Sequence, residues 1–181
     1  MIMSSVKIRE FNLSIDGPET AKLYRACFYE NPWYEKFAEG EIEAMFTEMM
    51  SYRGLSCLVA ENAGQIVGGT AGFDLSCKKD VLDLLDQEIS HVFYMAELFV
   101  SSNYRRAGIA EALVRARFDW ARILGYSIGV VRTSIQQSII IEMYYRRGFT
   151  VVATQDVVSD KWIAGTIQRV PDTRVIMKGK F

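Results

Sequence analysis

The order of elements in this sequence predicts a mixed α/β (α+β) fold, one sheet covered by helices. Three observations carry that expectation. The 181 residues suit one domain spanning 1–181. Half of them are hydrophobic and 24% are charged, which is enough apolar material for a sizeable core. The hydrophobic period also changes along the chain in the order strand, two helices, three strands, helix, strand, helix, then strands. A regular doubly wound fold would alternate strand with helix throughout, so a mixed sheet is expected instead.

Residues 6–13 alternate and read as the first strand. Asp16-Gly17-Pro18 then stops it and starts a helix, with Pro18 in the first turn. Leu23, Tyr24, Cys27 and Phe28 give that helix an apolar stripe, and Asn31-Pro32 breaks it. Ile42, Met45, Phe46 and Met49 share one face of a second helix, and such a stripe reads as core packing rather than a cofactor contact. Residues 55–61 and 65–75 flank Asn62-Ala63-Gly64, a short hairpin turn. Gly68, Gly69 and Gly72 open no helix and match neither the P-loop nor the GxGxxG pattern, so a bulge or close backbone contact is expected there. Residues 78–89 read as a short acidic helix that shows Asp80, Asp83 and Asp86 to solvent.

Residues 92–100 form a fourth strand, and a helix runs over 108–124. Leu113, Ala116, Trp120 and Leu124 mark its apolar face; Glu111, Arg115, Asp119 and Arg122 mark another, and Gly125 ends it. Residues 127–132 make the fifth strand, 137–147 a short helix closed by Gly148, and 149–153 and 173–177 the late strands.

The formal net charge of -1 calls for neither nucleic acid nor an anionic membrane as partner. Cys27, Cys57 and Cys77 are odd in number and lack metal-ligand spacing, as expected of reduced thiols in a cytoplasmic protein. His91 is the only histidine, which argues against a zinc site, and no metal is expected. It stands at the start of a strand and reads as a surface residue. Residues 1–10 lack the apolar core of a signal peptide, and no apolar stretch is long enough to span a bilayer.

The informative segment is Arg105-Arg106-Ala107-Gly108-Ile109-Ala110, a basic loop that leaves the strand ending at Val100 and opens a helix. Free amides at a helix start, aided by the helix dipole, grip phosphate. Gly108 and Ala110 keep the approach open, and the two arginines add positive charge. The residue types fit the pyrophosphate of coenzyme A and other phosphates equally.

Arg105-x-x-Gly108-x-Ala110 after such a strand resembles the (Q/R)-x-x-G-x-(G/A) pyrophosphate motif of GNAT acetyltransferases. Met143-Tyr144-Tyr145-Arg146-Arg147-Gly148-Phe149 is similar to the family's L-Y-x-x-x-G-F segment, at a similar remove of one helix and one strand. Two departures stand out. Gln137 and Ile140 occupy positions where the family often has Asn and Ala, and Arg106 stands where a glycine is frequent.

The resemblance implies a mostly antiparallel sheet of six to seven strands with a splayed fourth strand. It implies acetyl-CoA as cosubstrate, an amine as acceptor, direct transfer without an acyl-enzyme, and often a homodimer. It makes Arg105, Arg106, Ala107, Gly108, Ile109 and Ala110 the pyrophosphate loop. The backbone of Leu98, Phe99 and Val100 would pair with the pantetheine arm, and the Gln137 amide would face the same arm. Tyr144 takes the place of the general acid, against the plainer role of a core aromatic. Glu97, a carboxylate in an apolar strand, is the candidate base; its alternatives are an arginine partner or a solvent-facing position. Trp33 either shapes the acceptor pocket or packs the first two helices together. Arg146 and Arg147 are expected to cap their helix rather than reach a phosphate. Two other functions compete: an acyl-CoA-binding protein without activity on the same fold, and a nucleotide-using enzyme, which the absent P-loop signature argues against.

Overall fold

The computed structural model describes residues 6–85 and 91–181. In chain order the elements are β1 Lys7–Glu10, α1 Leu13–Phe28, α2 Glu41–Met49, β2 Ser56–Asn62, β3 Gln65–Asp74 and α3 Lys79–Leu82. They continue with β4 Phe93–Val100, α4 Ile109–Ile123, β5 Ile128–Ser134, α5 Ser138–Tyr145, β6 Thr150–Ile163 and β7 Thr166–Lys180. The strands form one sheet in the order β1-β2-β3-β4-β5-β7-β6, antiparallel throughout except for the parallel pair β4–β5. Helices α1 and α2 bury Tyr24, Ile42 and Phe46 against Val59 and Phe99 of the sheet. On the other face, Val114 and Phe118 of α4 and Tyr144 of α5 pack with Met95, Val131 and Phe149.

Three elements differ from the sequence expectations. The first strand stops at Glu10, and α1 begins at Leu13, because Asn12 caps it: Asn12 Oδ1 accepts the amides of Ser14 and Ile15. Pro18 therefore falls in the second turn rather than the first. The acidic helix is a single turn, α3, and Asp80 is paired with Lys78 and Arg132 instead of facing solvent alone. Asp83 is exposed, and Asp86 lies outside the described residues. The late strands are far longer than expected. β6 and β7 form a hairpin closed at Ala164 and Gly165, both at positive φ as a two-residue type I′ turn requires.

The glycines of β3 make room for aromatic rings of β4. A Cβ on Gly72 would stand 2.4 Å from Phe93 Cε1 and 2.8 Å from the Tyr94 carbonyl oxygen. Gly72→Ala is therefore expected to destabilise the fold by about 1–3 kcal/mol, the usual cost of overpacking, read as a lowered denaturant midpoint. An unchanged midpoint would mean that the ring is free to move aside.

The same place bends β4. Ala71 stands opposite Glu97 but Gly72 opposite Met95, so Ala96 is an extra residue in a β-bulge. The parallel pairing of β4 with β5 runs from Phe93–Gly129 to Met95–Val131 and stops there. The fourth strand is splayed, as expected, and the splay starts at the bulge.

Candidate active site

A cleft of about 1970 Å³ opens where β4 and β5 part. It is large enough for an extended ligand together with a second, smaller one. One wall is the free edge of β4. The Ser101 amide donates to the Val67 carbonyl at 2.9 Å, on the β3 side. Two-residue alternation then turns the Phe99 amide towards β3 and those of Leu98 and Val100 into the cleft. The Phe99 ring is buried, edge-on to Tyr24 with ring centres 5.3 Å apart. Of the expected backbone trio, Leu98 and Val100 present amides to the cleft, and Phe99 anchors the strand.

The basic loop forms the mouth. Gly108 is the N-cap of α4 at φ 77°, a left-handed conformation that disfavours side chains. A Cβ placed there meets nothing within 4 Å, so backbone conformation rather than crowding calls for glycine. The first amides of α4 have no acceptor within the helix and lie beside the cleft, which Gly108, Ile109, Ala110 and Glu111 line. Arg106, also at positive φ, lines it too, whereas Ala107 is exposed and does not. The Arg105 guanidinium donates to the Val100 carbonyl at 3.1 Å and pairs with Glu30 at 2.6 Å. The arginine nearest the motif start is thus tied to the end of α1.

Tyr144 lines the inner cleft and is almost wholly buried. Its ring packs against Phe118 and Phe149, and its hydroxyl accepts a hydrogen bond from Arg117 Nη2 at 2.5 Å. Tyr144 is therefore core aromatic and cleft residue at once. Burial pushes its phenol pKa up, and Arg117 opposes that rise. Tyr145 is exposed.

Glu97 lines the cleft on the α1 side and accepts a hydrogen bond from the Tyr24 hydroxyl at 2.9 Å. Simple alternation along β4 would set Glu97 on the face of both Met95 and Phe99. The bulge at Ala96 breaks that alternation: Met95 packs towards α4 and α5, whereas Phe99 packs with Tyr24 towards α1 and α2. Glu97 shares its face with Phe99 only. Burial raises its carboxyl to about 7; the Tyr24 bond opposes the rise and nearby Glu35 adds to it. Glu35, which also lines the cleft, is pushed up by burial against the pull of Arg174 and Lys161.

Trp33 lines the cleft beside the α1–α2 loop, with its ring 5.6 Å from that of Phe28 and under the Arg174 guanidinium at 4.6 Å. It does not bridge α1 and α2; it joins the loop between them to β7. The long hairpin holds that loop, since buried Lys161 Nζ donates to the Pro32 carbonyl and the Trp162 amide to that of Tyr34. Gln137 lines the cleft as the N-cap of α5, and its side chain is free of any capping role. Arg147 does cap α5, donating to the Met143 carbonyl at 2.6 Å, and it also pairs with Glu111. His91 is exposed and stacked on Tyr126, away from the cleft lining.

Sequence reasoning missed Arg117. The buried face of α4 is Ile109, Leu113, Val114, Arg117, Phe118 and Ala121, rotated from the stripe expected through Ala116, Trp120 and Leu124. Leu124 is exposed. The helical spacing from Leu113 to Ala121 held the signal, hidden because an arginine sits in its middle.

A family model described as Acetyltransferase (GNAT) family matches residues 18–149. Probable N-acetyltransferase family 8 member 5 of Mus musculus is 41% identical over 91 residues, 50% of this chain and 37% of that protein. N-acetyltransferase 8 of Homo sapiens is 33% identical over 100 residues, 55% of this chain and 40% of that one. The matches thus span about two fifths of these relatives' length. An N-acetyltransferase from Staphylococcus aureus Mu50 superposes with a TM-score of 0.75 at 16% identity, over 98% of this chain and 99% of that one. YncA of Salmonella typhimurium, solved with its cofactor acetyl-CoA, gives 0.71 at 18% identity, over 98% and 94%. At such identities these two structures speak to the fold.

Proposed function

The chain belongs to the Acetyltransferase (GNAT) family, and on that premise we propose that it transfers an acetyl group from acetyl-CoA directly to a primary amine of a small molecule or a peptide. The observation that carries this reading is one cleft holding an open strand edge, unsatisfied helix amides, a buried phenol and a half-buried carboxylate. When bound, acetyl-CoA supplies the thioester that the reaction consumes. The α4 amides beside Gly108, with Arg106, take the pyrophosphate. Arg105 joins them by exchanging its Glu30 partner for phosphate. The Leu98 and Val100 amides hold the pantetheine arm, and the Val100 amide is the donor best placed to polarise the acyl oxygen. Glu97 accepts a proton from the ammonium form of the acceptor through water, and Tyr144 releases its Oη proton as the leaving group departs. Trp33 borders the acceptor. Cys27, Cys57 and Cys77 are all free thiols, which supports a reducing, cytoplasmic setting.

The reading as a whole is tested by calorimetric binding of acetyl-CoA against ATP, followed by thioester turnover over a panel of amines. Tight acetyl-CoA binding without turnover of any amine would favour a binding protein. The loop is tested by Gly108→Asp, expected to weaken acetyl-CoA binding several-fold or more by setting negative charge beside the pyrophosphate. Gly108→Asn has a similar shape and tolerance of positive φ without the charge, and should lose less. Equal affinity in the Asp variant and the parent protein would place the cofactor elsewhere.

A further inference from the structure

Arg117 is one of the largest fully buried side chains of the protein. Its Nη1 donates to the carbonyls of Ala71 at 3.0 Å and Glu97 at 2.8 Å, and its Nη2 to Tyr144 Oη at 2.5 Å. No ion pair among the described residues includes it, and its Nε has no hydrogen-bond partner. A buried cation hydrogen-bonded only to neutral oxygens, with the Glu97 carboxylate acting on it without a direct bond, is costly, and an apolar residue would fill an otherwise apolar helix face more cheaply. Its partners give the cost a purpose. Ala71 and Glu97 face each other at the β4 bulge, and Tyr144 faces the cleft from α5.

We propose that Arg117 is a positioning residue that holds the bulged Glu97 backbone and the Tyr144 hydroxyl on one buried cation, ready for proton release from Tyr144. This rests on the reading of Tyr144 as the proton donor. Because Arg117 occupies a lone pair of Oη, the phenol's own O–H is free to point elsewhere. When that bond breaks, the proton goes to the leaving thiolate and the electron pair stays on Oη as a phenolate beside the guanidinium. An ammonium gives up two protons on becoming an amide. The one that Glu97 takes before attack returns to Oη through water, and the one lost from nitrogen after attack passes through water to solvent, so the cycle closes without a net change in the protein. Burial alone would oppose the phenolate, and the arginine offsets part of that opposition. Arg117 also bonds the main chain of the residue that bears the base, so both ends of the proton path share one anchor.

The test combines Arg117→Met and Arg117→Lys with Tyr144→Phe, alone and together. Arg117→Met is expected to lower kcat about tenfold or more with little change in KM for acetyl-CoA, and Arg117→Lys to recover part of the loss. In the Tyr144→Phe background Arg117→Met should cost clearly less than in the parent protein, since the acid is already gone and only the hold on the Glu97 backbone is left to lose. A second reading needs no acetyl-CoA. With 13C at the tyrosine ζ carbon, the resonance missing from Tyr144→Phe identifies Tyr144, and Arg117→Met should shift it. Full kcat in Arg117→Met, an undiminished further loss in the Tyr144→Phe background, or an unmoved resonance would each overturn the proposal. If Arg117→Met does not fold, Arg117→Lys carries the same three readings, with smaller shifts expected. If Tyr144→Phe itself keeps full kcat, the proton-donor reading falls, and the resonance still reports whether Arg117 polarises the phenol.

Discussion

Tyr144→Phe is expected to lower kcat by roughly 10- to 1000-fold while leaving KM for acetyl-CoA nearly unchanged. The substitution removes one oxygen and keeps the ring, so the packing with Phe118 and Phe149 survives. What goes is the O–H facing the cleft and the acceptor of Arg117 Nη2. The second loss adds a cost to folding: a buried donor left without a partner destabilises by about 1–3 kcal/mol. The variant should therefore be folded, less stable and slow. A lowered denaturant midpoint with unaltered kcat, under conditions where chemistry limits the rate, would leave Tyr144 a core residue alone.

The legible parts of the fold were local ones. The hairpin turn at Ala63 and Gly64, the stop at Gly125 and the loop from Arg105 to Ala110 each depend on backbone conformations that neighbouring residues dictate, and φ is positive at all three glycines. Tyr144 and Glu97 stood out for similar reasons, one by its segment and one as a carboxylate inside an apolar strand. The rest depends on contacts distant in sequence. The β3 glycines announced a bulge or close contact, and the register does shift at Gly72, beside the Phe93 ring; nothing near Ala96 shows that the extra residue stands there, in the facing strand. That bulge decides which face Glu97 occupies, so strict alternation misplaced it relative to Met95. Nor does the polar alternation of residues 154–172 resemble a buried strand, because much of the long hairpin is exposed and its docking depends on Lys161 reaching Pro32. The Glu30–Arg105 pair likewise joins segments that no pattern links.

Glu97→Gln is expected to open a gap in kcat/KM that is widest below about pH 7 and narrows above it. Glu97 has its carboxyl raised to about 7 by burial, with Glu35 adding to the rise and the Tyr24 bond, Lys78 and Arg117 opposing it. In the unaltered protein, productive encounters need an ionised Glu97 and an ammonium acceptor, so kcat/KM should rise tenfold per pH unit up to about 7 and then level. The glutamine variant must wait for free amine. Its kcat/KM should keep rising, without a break near 7, to the pKa of the acceptor, close to about 10 for an alkylamine such as lysine. Below 7 both profiles climb in parallel and the gap is constant; above 7 only the variant climbs, and the gap shrinks. Stability offers an independent reading with a definite sign. A carboxyl raised on folding binds its proton more tightly in the native state, so its ionisation destabilises the fold as pH rises from the unfolded value of about 4.3 through 7. Glutamine cannot ionise, so the variant should gain stability relative to the parent across that window. Paired pH–rate profiles with one amine of known pKa, and denaturant midpoints at pH 5 and 8, measure both. A gap of the same size at every pH would make Glu97 a binding or structural residue. A parent profile with no break near 7 would assign the proton to another group, of which Glu35 on the same cleft wall is the nearest in kind.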